Sequence, residues 1–256
     1  MLQDPVEKVA AVRAMGTAWK TGQLDRESGI ELPNVVYPGR PDRPELIAPK
    51  KLPRRRLGNP EGHAAMIHAI GHIEFNAINL ACDAVYRFRD MPEAYYDDWI
   101  QVAVEEAYHF SLISERLQVL GYKYGDFPGH DGLWDLARKT AHNLLDRMAL
   151  IPRVMEARGL DVTPGITRKF QGIGDQATVT ILDIILRDEV GHVEAGTRWF
   201  NYLCEQQNKD PEATYFELLA EYFPKGIKCP LHIPARLEAG FTEQELNRLE
   251  TLCSKH

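Results

Sequence analysis

The sequence predicts an all-α fold in which four long helices form a bundle and shorter helical segments flank it at both ends. Apolar residues recur at helical spacing over four long stretches of the chain. No stretch alternates apolar and polar residues as a strand would, and no segment repeats at solenoid spacing. The composition, with 44% hydrophobic and 26% charged residues among 256, is typical of a globular protein with a substantial core.

The N-terminal part predicts one helix followed by an extended arm. Asp4, Pro5 and Glu7 form a capping pattern that starts a helix reaching to about Trp19. Prolines then become so dense that helix and central strand are both excluded. We therefore expect an arm that lies over a surface or reaches toward a partner. Its prolines are Pro33, Pro38, Pro41, Pro44, Pro49, Pro53 and Pro60.

From Pro60 onward the pattern is helical almost throughout. The short link 90–92 makes the first two long helices an antiparallel hairpin. Pro152 is expected to kink the third, and Pro164 to start a short helical piece in the region 159–174. Together these signals predict long helices over 61–89, 93–120, 131–158 and 175–207, a shorter helix from Asp210 and a last one from Thr242.

We expect three segments within one globular unit. They are the helix and Pro-rich basic arm over 1–59, the bundle over 60–209 and a helical extension over 210–256. No apolar run is long enough to span a bilayer, and the amino terminus does not resemble a signal peptide. The four cysteines form no Cys-x-x-Cys pair, so we expect reduced thiols in a cytoplasmic protein.

The net charge of −7 is unevenly distributed. Residues 40–56 hold seven basic and two acidic side chains, which gives +5 there and −12 elsewhere. The acidic balance argues against a protein that wraps nucleic acid over a wide face. The basic stretch is either a solvated surface segment or a nucleic-acid contact. In the second case the contacting residues are Lys50, Lys51, Arg54, Arg55 and Arg56.

Two Glu-x-x-His tetrads are the main candidates for functional residues. Residues three apart share a face of a helix, so Glu106 and His109 point the same way, as do Glu189 and His192. Each tetrad lies in the middle of the apolar stripe of a long helix, where an isolated carboxylate is costly unless it is paired or bound to a metal. Both tetrads are therefore candidate metal ligands.

The other two long helices each add one glutamate in an apolar stripe. Glu74 precedes Glu106 by 32 residues, and Glu156 precedes Glu189 by 33, which would bring all four carboxylates to one level of the bundle. Four glutamates and two histidines in this order are the ligand set of di-iron and di-manganese carboxylate bundles. The acids that precede the tetrads, Glu105 and Asp188, are expected to accept the free ring N–H of each ligand histidine.

The chain resembles the ferritin-like superfamily and, more closely, an uncharacterised bacterial family of unknown function. It is distantly similar to the di-iron hydroxylase of the tRNA base 2-methylthio-isopentenyl-adenosine, with which it shares Glu-Ala-Arg at 156–158. The resemblance covers nearly the whole chain from Pro5 and implies a ferritin-like bundle with a di-iron site at the six positions above. The stretches that carry it are 72–80, 105–110, 155–161 and 188–193, with shorter ones at 124–127 and 132–135.

The ligand set and the resemblance predict a non-haem di-iron carboxylate oxidoreductase that uses O₂, as a hydroxylase or oxygenase does. Glu106 and Glu189 would be the catalytic carboxylates that bridge or shift, and manganese could replace the two iron ions. We expect a small molecule or modified base as substrate, an electron-transfer partner and no membrane, and a homodimer is left open. The alternatives are a ferroxidase or metal-handling protein, a tRNA-modifying hydroxylase, and a metal-free helical adaptor.

Overall fold

The computed structural model describes residues 2–24 and 33–253, and in these ranges every regular element is a helix apart from two isolated β-bridges. The all-α class is confirmed. A 3-10 turn at Pro49–Lys51 and a π-helical segment at Ile151–Glu156 accompany the α-helices. These are α1 Pro5–Lys20, α2 Pro60–Arg87, α3 Glu93–Val119, α4 Gly132–Lys139, α5 Leu144–Leu150, α6 Ala157–Gly172, α7 Gln176–Gln206, α8 Pro211–Tyr222, α9 Ile233–Glu238 and α10 Glu243–Thr251.

The chain forms two compact units, residues 1–138 (unit 1) and 139–256 (unit 2). The division into 1–59, 60–209 and 210–256 stays a prediction. None of the described helices contains a stretch apolar enough to cross a bilayer.

Unit 1 is built on the antiparallel pair α2–α3, with α1 packed on α3. The sequence signals for these helices are local, and their ends lie within two residues of the predicted ones. The Asp4 carboxylate accepts the N–H groups of Val6 and Glu7, and Asn59 accepts that of Gly62 at 2.7 Å. Such caps satisfy backbone donors that have no partner inside the helix.

The described part of the Pro-rich arm lies along α2 and does not project from it. Arg87 donates to the Val35 carbonyl at 2.8 Å, and Lys8 donates to both the Gly39 carbonyl and the Asn79 side chain. Farther along, Ile47 donates to the Gly129 carbonyl at 3.0 Å. We expected the arm either to lie over a surface or to reach toward a partner, and the structure shows it on a surface. Residues 25–32 lie outside the described residues.

A row of buried polar residues on α2 is linked to this arm by Lys8 and Arg87, each of which bridges a side chain of the row and a carbonyl of the arm. Its members recur every three or four residues, so they share one face of the helix. We call this row the polar seam; it consists of His68, His72, Asn76, Asn79 and Asp83. Hydrogen bonds to Lys8 of α1 and to the loop 120–131 satisfy groups that would otherwise be costly to bury. The seam therefore explains why polar side chains occur inside an apolar pattern.

His68 makes the seam sensitive to acid. Its Nε2 accepts the Gly125 N–H at 2.9 Å, and its ring stacks on Tyr124. Burial, together with the positive charge of His72 and Arg55, lowers the pKa of His68 to about 4, although Asp126 opposes the shift. Below pH ~6.5 this histidine is protonated in the unfolded chain, whereas in the folded chain it stays neutral until pH ~4. The folded state therefore loses stability between these two pH values.

We expect His68→Gln to reduce the loss of stability between pH 7 and pH 4 by about 3 kcal/mol, because the variant keeps a hydrogen-bond acceptor but no longer titrates. Urea unfolding at both pH values measures this difference. His142→Gln is the control, since the His142 side chain is 65% exposed. An unchanged pH dependence in His68→Gln would contradict the role of this histidine.

In unit 2, α5, the π-helical segment and α6 pack on α7, and α8 and α9 add further contacts. At Pro152, where a kink was expected, the helix changes to the π-helical segment. Proline has no N–H and clashes with the preceding turn, so the regular bonding pattern cannot pass through it. A Cβ at Gly196 of α7 would lie 2.2 Å from the Pro152 ring, so α7 approaches the segment where it has no side chain.

Two expectations for the stretch 131–174 are wrong, and one helix of unit 2 was not predicted. The stretch 131–158 is not one helix, because Asn143 caps a new helix by accepting the Leu145 N–H at 2.9 Å. Pro164 does not start a helix but lies inside α6, since Leu160, Thr167 and Phe170 stay buried at helical spacing and packing outweighs the lost hydrogen bond. The short helix α9 was also not expected.

The expectation of four reduced cysteines is also wrong. Cys229 and Cys253 form a disulfide, whereas Cys82 and Cys204 are free. The chain folds back after α9, and Ile227 donates to the Leu252 carbonyl at 3.1 Å, which brings the two cysteines together. A pairing across 24 residues depends on this turn and leaves no spacing signal in the sequence.

Candidate metal centre

In unit 1, Glu74 of α2 meets the tetrad of α3. His109 Nδ1 lies 3.3 Å from Glu74 Oε2 and 3.6 Å from Glu106 Oε2. All three side chains are buried, and one ligand atom from each lies within 4.8 Å of the others. Two carboxylates and an imidazole nitrogen are donors that suit Fe(II), Mn(II) or Zn(II). This buried cluster could therefore hold a metal ion.

Close packing of α2 against α3 brings these residues together. A Cβ at Gly71 would lie 2.7 Å from Ile113 Cγ2, so Ile113 of α3 packs against α2 where α2 has only a hydrogen. Gly71 lies three residues before Glu74 on α2, and Ile113 lies four residues after His109 on α3. Gly71 therefore lets Ile113 pack against α2 one turn of each helix away from the ligands.

The electrostatics of the cluster favour a cation. Burial and the negative charge of Glu106 raise the pKa of Glu74 above its usual range. Burial alone would lower the pKa of His109, but hydrogen bonding and attraction by Glu106 and Glu74 raise it overall. One imidazolium balances only one of the two carboxylates. A divalent cation would offset both, which fits the donor set found here.

In unit 2, α7 presents the second tetrad with the same local geometry. His192 Nδ1 lies 3.6 Å from Glu189 Oε1, and both residues are buried. Glu156 ends the π-helical segment and is half-buried. A Cβ at Gly159 of α6 would lie 4.0 Å from Glu189 Oε2, so the Glu189 carboxylate reaches α6 one turn after Glu156. Within unit 2, Glu189 therefore lies against the helix that follows Glu156.

The two acids that precede the tetrads have neighbours of their own. Glu105 accepts from Gln101 Nε2 at 2.7 Å, and Asp188 accepts from Arg187 Nε at 2.8 Å. The orientation of the ligand histidines by Glu105 and Asp188 stays a prediction.

The basic stretch of the arm is mostly exposed. Lys50 and Lys51 belong to the 3-10 turn, and Arg54 and Arg56 also face solvent. Arg55 is half-buried, and burial lowers its pKa.

Two charged residues of α6 close to Glu156 make contacts that the sequence did not predict. Asp161 accepts both Nε and Nη2 of Arg236, at 2.9 and 2.8 Å, and also the His232 N–H. Arg158 donates to the carbonyls of Lys228 and Pro230. Arg158 and Asp161 therefore tie α6 to the segment 228–236. The sequence gives no sign of these contacts, because the partners lie about 70 residues away.

Comparison with known proteins gives the family. A model for a family described as "Protein of unknown function (DUF455)" matches residues 1–247. The chain belongs to this family. A relative from Haemophilus influenzae, described as "Uncharacterized protein", is 50% identical over 214 residues, which cover 81% of this chain and 74% of the relative. No solved structure matches the chain.

Proposed function

We propose that this member of the family is an oxidoreductase that binds two metal ions through carboxylate and histidine ligands. It uses O₂ to oxidise an organic substrate. The proposal depends on the buried cluster of Glu74, Glu106 and His109. In this cluster the Nδ1 atom of the imidazole lies close to both carboxylates. Such a group is costly in an apolar interior, and a bound divalent cation removes most of the cost.

The proposal joins both ligand sets in one centre made of Glu74, Glu106, His109, Glu156, Glu189 and His192. Its support is the repeated order of a glutamate followed by a Glu-x-x-His tetrad, with separations of 32 and 33 residues. The same order characterises di-iron and di-manganese bundles. The resemblance to the ferritin-like superfamily supports the same assignment. The matching geometry of the two tetrads, each with Nδ1 3.6 Å from its glutamate, supports equivalent roles.

When bound, two iron ions would supply the electrons that activate O₂ for oxidation of the substrate. The residues of the chain would hold these ions and exclude bulk water, which strengthens every charge interaction at the centre. Among these ligands, Glu106 and Glu189 would be the catalytic carboxylates. A hydroxylation puts one oxygen atom into a C–H bond and reduces the other to water with two electrons and two protons. That reaction therefore requires an electron-transfer partner.

Anaerobic loading with Fe(II) tests the proposal. We expect about two iron ions per chain after removal of excess metal, because six ligands of this type bind two ions. Fewer than about one iron per chain would contradict it. Gel filtration of the loaded protein tests the ferroxidase alternative, since a large closed shell would favour storage of iron. The arm and the helices after α7 favour a covered site instead.

The exposed cations of the arm favour a second candidate, in which the substrate is a base within an RNA. Replacing Lys50, Lys51, Arg54 and Arg56 with glutamine should weaken binding to a mixed tRNA preparation at low salt by at least tenfold and reduce its salt dependence. Fluorescence anisotropy at several salt concentrations measures both effects. Equal binding by the variant, or no binding by the wild type, would exclude this candidate.

A further inference from the structure

Arg153 is a buried cation in the π-helical segment, three residues before Glu156. It is 1% exposed, and its Nη2 donates to Glu245 Oε1 at 2.6 Å. The guanidinium carbon lies 4.9, 4.1 and 4.6 Å from the ring centres of Phe200, Tyr215 and Phe241. Three aromatic rings and one carboxylate therefore enclose the side chain.

The backbone of Arg153 is also held. The Tyr215 hydroxyl donates to the Arg153 carbonyl at 3.1 Å, so one tyrosine contacts both the backbone and the side chain. Glu245 is fixed in turn by the capping box that it forms with Thr242 at the start of α10. Contacts from α7, α8, α10 and the link before α10 thus converge on one residue of the π-helical segment.

Stability alone does not explain a buried arginine. Replacing a buried ion pair with apolar residues of similar volume is often neutral or stabilising, because both charges lose their hydration. Within the described residues, Arg153 Nε and Nη1 have no hydrogen-bond acceptor, which adds to that cost. What the arrangement does provide is a fixed position for this segment.

Glu156 is the last residue of this segment, so its direction depends on the helical register there. A π-helical segment contains more residues per turn than an α-helix, so a return to α-helical bonding would rotate the following side chains by an angle on the order of 100°. We propose that Arg153 is a positioning residue: its enclosure by the C-terminal helices holds the π-helical register and thereby directs the Glu156 carboxylate to the metal. This inference rests on the proposed function, which makes Glu156 a ligand.

The test is iron binding by Arg153→Met, with Arg147→Met as the matched control. Arg147 is equally buried in unit 2, but it lies on α5 and donates to Thr140. We expect Arg153→Met to lower the affinity for the more weakly bound iron by about 10- to 100-fold, as loss of a residue that orients a ligand does. Arg147→Met should keep the wild-type affinity even if it melts at a lower temperature.

Tyr215→Phe is the second variant, in case Arg153→Met does not fold. It keeps the aromatic ring and removes only the hydroxyl that binds the Arg153 carbonyl. We expect a loss of iron affinity in the same direction but several-fold in size. If Tyr215→Phe and any folded Arg153→Met both bind two irons with wild-type affinity, the positioning role is wrong and the metal centre stands. If the wild type binds no iron, both proposals are wrong.

Discussion

Metal loading is expected to raise the melting temperature of the wild-type protein by roughly 5 to 10 °C and to leave that of Glu106→Ala almost unchanged. A ligand present at 100 times its Kd stabilises the folded state by about 2.7 kcal/mol, which corresponds to a shift of this size in a chain of this length. Glu106 is fully buried and lies 3.6 Å from His109. Its removal leaves a single carboxylate beside the imidazole in unit 1. Differential scanning calorimetry with and without Mn(II), which does not oxidise in air, measures the shift.

Two further variants make this result specific. Glu115 is exposed on the same helix α3, and Glu115→Ala should keep the full shift. Glu189→Ala should behave like Glu106→Ala, because the proposed centre draws ligands from both tetrads. A shift that survives in Glu189→Ala alone would restrict the centre to the ligands of unit 1. A full shift in Glu106→Ala would mean that the metal binds elsewhere.

The variant Gly196→Ala should lose about 3 kcal/mol of stability. The new Cβ would lie 2.2 Å from both Cβ and Cγ of Pro152. A proline ring has no rotamer by which it can move aside, so α7 and the π-helical segment would have to separate. Urea unfolding of the metal-free protein, followed by far-UV circular dichroism, measures the loss. Because the chain has two units, the transition of unit 2 must be fitted separately if two are seen.

Gly191→Ala is the matched control on the same helix. A Cβ at Gly191 would have no neighbour within 4 Å, so alanine should stabilise α7 by about 0.5 to 1 kcal/mol through its higher helix propensity. The two substitutions add the same methyl group and are expected to have opposite effects. A cost below about 1 kcal/mol for Gly196→Ala would show that the contact with Pro152 is not tightly packed.

Three of the four long helices could be predicted from the sequence because their signals are local. Asp4 and Asn59 cap helices from a few residues away, and the apolar stripes of α2, α3 and α7 need no knowledge of their neighbours. The disulfide between Cys229 and Cys253 and the continuous helix α6 through Pro164 were missed for the opposite reason. Both depend on packing between segments, which outweighs local preference.

In the candidate site, too, the local contacts could be predicted from the sequence and the long-range contacts could not. Helical spacing places Glu106 beside His109, and the similar lengths of α2 and α3 place Glu74 at their level, so this cluster could be predicted. The enclosure of Arg153 could not, because Glu245 lies 92 residues away in sequence. From the sequence alone, an arginine at that position cannot be distinguished from a surface charge, because the helices that bury it come later in the chain.

The polar seam restricts how α2 can vary in sequence. An apolar interface accepts substitutions that preserve volume, whereas here Lys8 of α1 and the loop 120–131 supply an ammonium, a carbonyl and an N–H group in fixed directions. At His68, His72 and Asn79 a substitute must therefore offer a matching donor or acceptor, and a leucine of suitable size would fail. Along this face of the helix, hydrogen-bonding capacity rather than size decides which amino acids are tolerated.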